Sequence, residues 1–128
     1  MTDRTQEIIT RFQNSWNETE EFYLDLFENY DGFEFIEKIL EFIGRLKKEG
    51  KNKLFRLGTS MYSLIISRPV DFGLRTDQKY IRIEFIGKAD FEVILRDGDK
   101  IYREYRINDL SNIKLKQLIK TLEDTLID

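Results

Sequence analysis

YIRIEFIGKADFEVILRDGDKIYREYRI, residues 80–107, alternates apolar and polar side chains in three runs broken at Gly87 and at Asp97-Gly98. A period of two with glycine-bearing breaks is the pattern of half-buried antiparallel strands joined by hairpins. The first run places Ile81, Ile83 and Phe85 on one face and Tyr80, Arg82 and Glu84 on the other. The second turns Phe91, Val93 and Leu95 inward, and the third turns Ile101, Tyr105 and Ile107 inward. A one-residue slip would turn every side chain over, so the loops must keep the apolar faces in line. A two-residue Asp97-Gly98 loop fails that requirement, because it pairs Val93 with Tyr102. A three-residue loop over Arg96, Asp97 and Gly98, with Gly98 left-handed, pairs Val93 with Ile101 and is the expected form. It sets Phe91 opposite Arg103.

Upstream, FRLGTSMYSLIISR (residues 55–68) reads as one bent strand or two short ones, with Gly58 as a bulge or turn. Pro69 ends it, and residues 69–79 form an irregular connection with Phe72 and Leu74 tucked inward. Further upstream, Ile9, Phe12, Trp16, Tyr23, Phe27 and Tyr30 recur at helical spacing over residues 3–30. Asp31 and Glu34 have the spacing of a capping box, flanked by Tyr30 and Phe35 as a staple. Ile36, Ile39, Leu40, Ile43 and Leu46 supply the stripe of the helix that follows. A short connection makes these two helices antiparallel. At the far end, Asn108, Asp109 or Ser111 caps a last helix with Leu115, Leu118, Ile119, Leu122 and Leu126 on its apolar side. Elements grouped by type imply an α+β fold. An N-terminal helical hairpin and a C-terminal helix pack on one face of a four- to five-stranded antiparallel meander sheet. Residues 1–128 are read as one domain.

The chain lacks both cysteine and histidine. That removes disulfides, thiolate metal sites, cysteine nucleophiles and the usual general base. No phosphate loop, dinucleotide fingerprint or nucleophile elbow is present. Glu84, Glu92 and Glu104 offer carboxylates beside arginines, where ion pairing outcompetes acid–base work. Glu21, Asp25 and Glu28 share a helical face, but without histidine they do not form a di-iron motif. The expectation is therefore a non-enzymatic protein with no cofactor and no metal. No apolar run reaches 18 residues and no secretory leader is evident, so a cytoplasmic location without a membrane partner is expected.

Net charge is only −3, but it is unevenly placed. Residues 17–41 hold nine acids and one base, and residues 45–56 hold six bases and one acid. Part of this serves helix ends, where acids favour the start and bases the finish. The functional reading is an inhibitor-, immunity- or adaptor-like module presenting Glu20, Glu21, Asp25, Glu28 and Glu37 to a basic protein partner. Tyr80, Arg82, Arg96, Tyr102 and Arg106 form a second candidate surface on the outer side of the sheet. That surface supports the rival reading, single-stranded nucleic-acid binding by stacking and phosphate contacts. A domain without net positive charge lacks the usual footprint for that role. A small-ligand pocket between helices and sheet is a further alternative. Ile86 and Ile94 on the outer side, or an unprotected edge strand, suggest a homodimer.

Overall fold

The computed structural model describes residues 3–32, 35–68, 79–87, 90–97 and 100–124. Its helices are α1 (Asp3–Asn29), α2 (Ile36–Lys48) and α3 (Ile113–Glu123), and a 3-10 turn spans Lys51–Lys53. Its strands are β1 (Arg56–Ser60), β2 (Ser63–Ser67), β3 (Lys79–Gly87), β4 (Asp90–Asp97) and β5 (Lys100–Ile107). They form one antiparallel sheet in sequential order, as the alternation implies. Ile81 pairs with Leu95, Ile83 with Val93 and Phe85 with Phe91, so the inner faces align. Leu64, Ile66 and Ile107 extend that face, and Trp16, Tyr23, Ile39, Ile43, Leu118 and Leu122 from the three helices close over it. Each such side chain contributes about 1.5–3 kcal/mol when fully buried.

The expected register of the last hairpin is corrected. Asp97 pairs with Lys100, and Val93 faces Tyr105 rather than Ile101. Between Leu95–Arg103 and Arg96–Ile101 the partner strand advances by two residues, so Tyr102 is an extra residue in β5. This register sets Phe91 against Ile107 instead of Arg103, so an aromatic core position meets an apolar partner. The bulge also turns Ile101 outward, where it is exposed rather than in the core. Ile86 plays the same part in β3, ahead of Gly87, whose φ of +102° suits glycine. The expected left-handed Gly98 and the inward Phe72 and Leu74 lie outside the described residues.

Three more local expectations change. Gly58 is neither bulge nor turn but an ordinary strand residue opposite Ile65; the reversal falls at Met61-Tyr62, between paired Ser60 and Ser63. Helix α2 starts at Phe35 without a side-chain cap, so Asp31 does not cap it, and Glu34 lies outside the described residues. Helix α3 is capped by Asn112, whose side chain accepts Lys114 N–H at 2.9 Å. Asp109 instead accepts the Ser111 N–H and hydroxyl at 2.8 and 2.7 Å, which closes the turn before the helix and holds its carboxyl below the usual range. Leu126 lies outside the described residues.

Candidate functional site

Helix α1 settles where surface is available. Phe12, Trp16, Thr19, Tyr23 and Leu26 are its buried stripe. After Tyr23 the buried position is Leu26, three residues on, and not Phe27, four residues on. The stripe lies against the free edge of β1. Ser15 Oγ accepts Leu57 N–H at 3.0 Å, and Trp16 Nε1–H donates to the Phe55 carbonyl at 2.8 Å. At the other end of the hairpin the Tyr23 hydroxyl donates to the Tyr62 carbonyl at 3.1 Å, and burial pushes this phenol well above its ordinary range. An edge strand that would otherwise invite pairing is thus covered from within the chain.

The two elements differ in length. A 27-residue helix runs about 40 Å, whereas a five-residue strand runs about 17 Å. Tyr23 already stands beside the hairpin tip, so residues 24–29 overhang it by about 9 Å. Phe27 and Tyr30 are exposed although both follow apolar helical spacing; Leu26, next to Phe27 in the same turn, is the side chain that packs into the core. Phe22 and Leu24 flank them, and Met61 and Tyr62 project from the adjoining tip, Met61 with 82% of its surface exposed. Met61 also has φ +58°, the only positive value at a non-glycine residue among those described. Positive φ at the first position of a two-residue hairpin loop ordinarily belongs to glycine, and a side chain there costs about 1–3 kcal/mol.

Charge follows the same geometry. Glu18, Glu21, Asp25 and Glu28 are exposed on the side of α1 opposite its buried stripe. The last turn of α1 carries no base, whereas α2 and α3 end on Arg45, Lys47, Lys48 and on Lys120. Carboxylates at the negative end of a helix dipole oppose it, each by about 0.3–1 kcal/mol at low salt. Asn29 Nδ2 bonds the Asp25 carboxylate at 2.8 Å and the Asp25 carbonyl at 3.1 Å, the local relief on hand.

The other anticipated residues have different surroundings. Glu20 pairs with Lys47 at 2.8 Å, half-buried, and ties α1 to α2. Glu37 is exposed in the first turn of α2, where an acid suits the dipole. Tyr80 is buried, and so is Ile65 on the same outer side of the sheet, so that part of the face offers no open surface. Arg82 is half-buried and lies 3.9 Å from Glu84, and Arg106 lies 3.3 Å from Asp90. Arg96 is half-buried opposite Ile101. Tyr102 is exposed, with the Arg103 guanidinium 4.6 Å and Lys79 Nζ 5.8 Å from its ring centre. Four strand spacings, about 19 Å, separate β1 from β5. The acidic group and the Tyr102–Arg106 group therefore stand at opposite edges and do not join into one site.

Phe22, Leu24 and Met61 were not singled out as surface by sequence reasoning, and Tyr62 only as one of the tyrosines interleaved with arginines in the nucleic-acid reading. Their signal was faint: Phe22 and Leu24 fall off the helical stripe, and Met61-Tyr62 interrupts the alternation of residues 55–68. Among the described residues, no group of three or more carboxylates converges on a metal-sized site, and no helix is long and apolar enough to cross a membrane. The chain matches no family model, no curated protein and no solved structure.

Proposed function

We propose that this chain is a non-enzymatic protein-interaction module. Its contact surface is the overhanging end of α1 together with the Met61-Tyr62 tip. The observation that carries this reading is the meeting of two stability-costing features at one exposed aromatic surface. Acids sit at the negative end of α1, and Met61 sits at positive φ. Local rules broken without a folding gain are expected where a surface is kept for binding. Aromatic and methionine side chains ringed by charge match the make-up of protein interfaces. The partner is a basic segment with an apolar anchor, drawn in by the carboxylates and held by Phe22, Phe27, Tyr30 and Met61. Nucleic acid has less support, because Tyr80 is buried and Arg82 and Arg106 each have a carboxylate at hand.

The test is an NMR titration with a Lys/Arg-rich amphipathic peptide carrying leucine and tryptophan anchors, against an acidic version of the same peptide. Amide shifts should cluster on residues 21–30 and 61–62, and affinity should fall steeply with salt. Asp25→Lys with Glu28→Lys should raise the melting temperature, since it reverses the dipole conflict, yet abolish binding. Met61→Gly should likewise stabilise the chain and weaken the complex. Unchanged peptide affinity in the Asp25/Glu28 variant, or shifts confined to β5, would reject the proposal.

A further inference from the structure

We infer that the groove between α2 and α3 is a docking site for an acidic peptide segment that carries one phenylalanine anchor. Both helices lie on the inner face of the sheet, and the groove runs along their seam. Its floor is Phe42 and Leu46 of α2, Leu110 of the turn before α3 and Ile119 of α3, each 3–5% exposed. The groove measures about 150 Å³. That is half the roughly 300 Å³ at which ligand pockets begin, and close to the roughly 150 Å³ that takes up one benzene ring. A single ring therefore fills it. The floor offers an aromatic neighbour in Phe42 and no polar side chain. Phenylalanine suits it better than tyrosine, whose hydroxyl would lose its water there.

Charge on the rim selects the residues around that ring. Lys51 and Glu123 line the groove 3.2 Å apart and neutralise each other. That leaves Arg45, Lys116 and Lys120 against Glu49, a surplus of two positive charges. Arg45 lies over the Phe42 ring at 5.8 Å, and its charge already reaches Asp109. Lys116 and Lys120 are exposed and form no ion pair with the described residues. Each follows a residue of the buried stripe, Leu115 or Ile119, so both stand on one side of α3 about 6 Å apart. Like charges at that spacing repel. Lys120 in the last turn eases the helix dipole, but Lys116 in the first turn opposes it, so helix stability does not account for the pair. Two unpaired lysines beside an apolar floor match carboxylates flanking a buried ring. A basic segment, the partner proposed for the end of α1, is repelled here.

The test is an NMR titration of the full chain, at about 0.15 M salt, with a short peptide in which one phenylalanine stands between runs of glutamate. Amide shifts should cluster on the groove residues of α2 and α3, from Phe42 to Lys51 and from Leu110 to Glu123. Replacing the peptide's phenylalanine by alanine should weaken binding by about 10–100-fold, the burial of one ring. Replacing its glutamates by glutamine should weaken binding by about tenfold and flatten the salt dependence. Lys116→Glu with Lys120→Glu should do the same, and the variant keeps its fold because both positions are exposed. Absent shifts at the groove, or undiminished affinity in the lysine variant, would overturn the inference. So would phenylacetate binding as tightly as the peptide, which would make the groove a small-molecule site. Asp25→Lys with Glu28→Lys should leave this binding unchanged, because the two sites share no residue. A changed affinity there would place the peptide on α1 and overturn the inference too, so the groove and the end of α1 can each fail alone.

Discussion

Ser15→Ala tests whether α1 holds the edge of the sheet through hydrogen bonding or merely packs beside it. The Ser15 hydroxyl donates to the Phe12 carbonyl at 2.6 Å and accepts Leu57 N–H at 3.0 Å, and the residue is buried. Losing the first bond matters little, because a carbonyl inside a helix keeps its ladder partner. Losing the second strands a peptide donor on a covered edge, which costs about 1–3 kcal/mol. Alanine returns a few tenths of a kcal/mol through helix propensity. The net loss is about 1–2 kcal/mol, or about 4–8 °C in melting temperature for a chain of this size. Trp16, the one tryptophan, is fully buried and reports unfolding by fluorescence in a urea titration. The midpoint should fall with the slope unchanged. Hydrogen exchange should quicken at the Leu57 amide more than at Ile66 across the ladder. A loss under about 0.5 kcal/mol with Leu57 still protected would refute the latch, since a stranded donor costs more than that.

Tyr23 makes stability depend on alkaline pH. Its phenol is held neutral by burial, so its pKa in the folded chain lies above the unfolded value of 10.0. Its contribution is complete below pH 10 and is lost as pH rises further, by about 1.4 kcal/mol per pH unit; Tyr23→Phe should flatten that limb of a pH–stability curve. Leu26→Ala should cost about 2–5 kcal/mol and Phe27→Ala under about 0.5 kcal/mol, measured by urea unfolding. The reverse order would mean that the α1 stripe follows the spacing read from sequence. The exposed edge β5 carries Lys100, Arg103, Glu104 and Arg106 and a bulge at Tyr102, devices that discourage strand pairing. Light scattering at about 100 µM should therefore give the monomer mass of 15.4 kDa; a doubled mass would return the homodimer to consideration.

The meander was legible because strand alternation is a local property. Ile81, Ile83, Val93 and Leu95 each declare a face through their immediate neighbours. The bulges at Ile86 and Tyr102 were not legible, since one inserted residue leaves the flanking alternation intact. Choosing between Leu26 and Phe27 was equally undecidable, because three- and four-residue steps both continue a helical stripe. The acids Glu21, Asp25 and Glu28 could be placed on one helical face from spacing. That they burden the wrong end of a helix dipole required knowing where α1 stops and that no base follows.

Periodicity, composition and the absence of histidine and cysteine were enough to establish the class of fold, the order of elements and the chemistries unavailable to this chain. Those features depend on residues near each other in sequence, or on residue types alone. Tertiary structure decided which apolar side chains remain in solvent. It also decided which arginines meet carboxylates. Phe27 is exposed because Leu26 takes the buried place after Tyr23, and Met61 because it stands in the turn between paired Ser60 and Ser63. Thr19 and Ser67 share a cleft because α1 lies along the edge of β1. Exposure and convergence are set by contacts between segments some forty residues apart, as in the Tyr23–Tyr62 and Trp16–Phe55 bonds, and no local pattern encodes them.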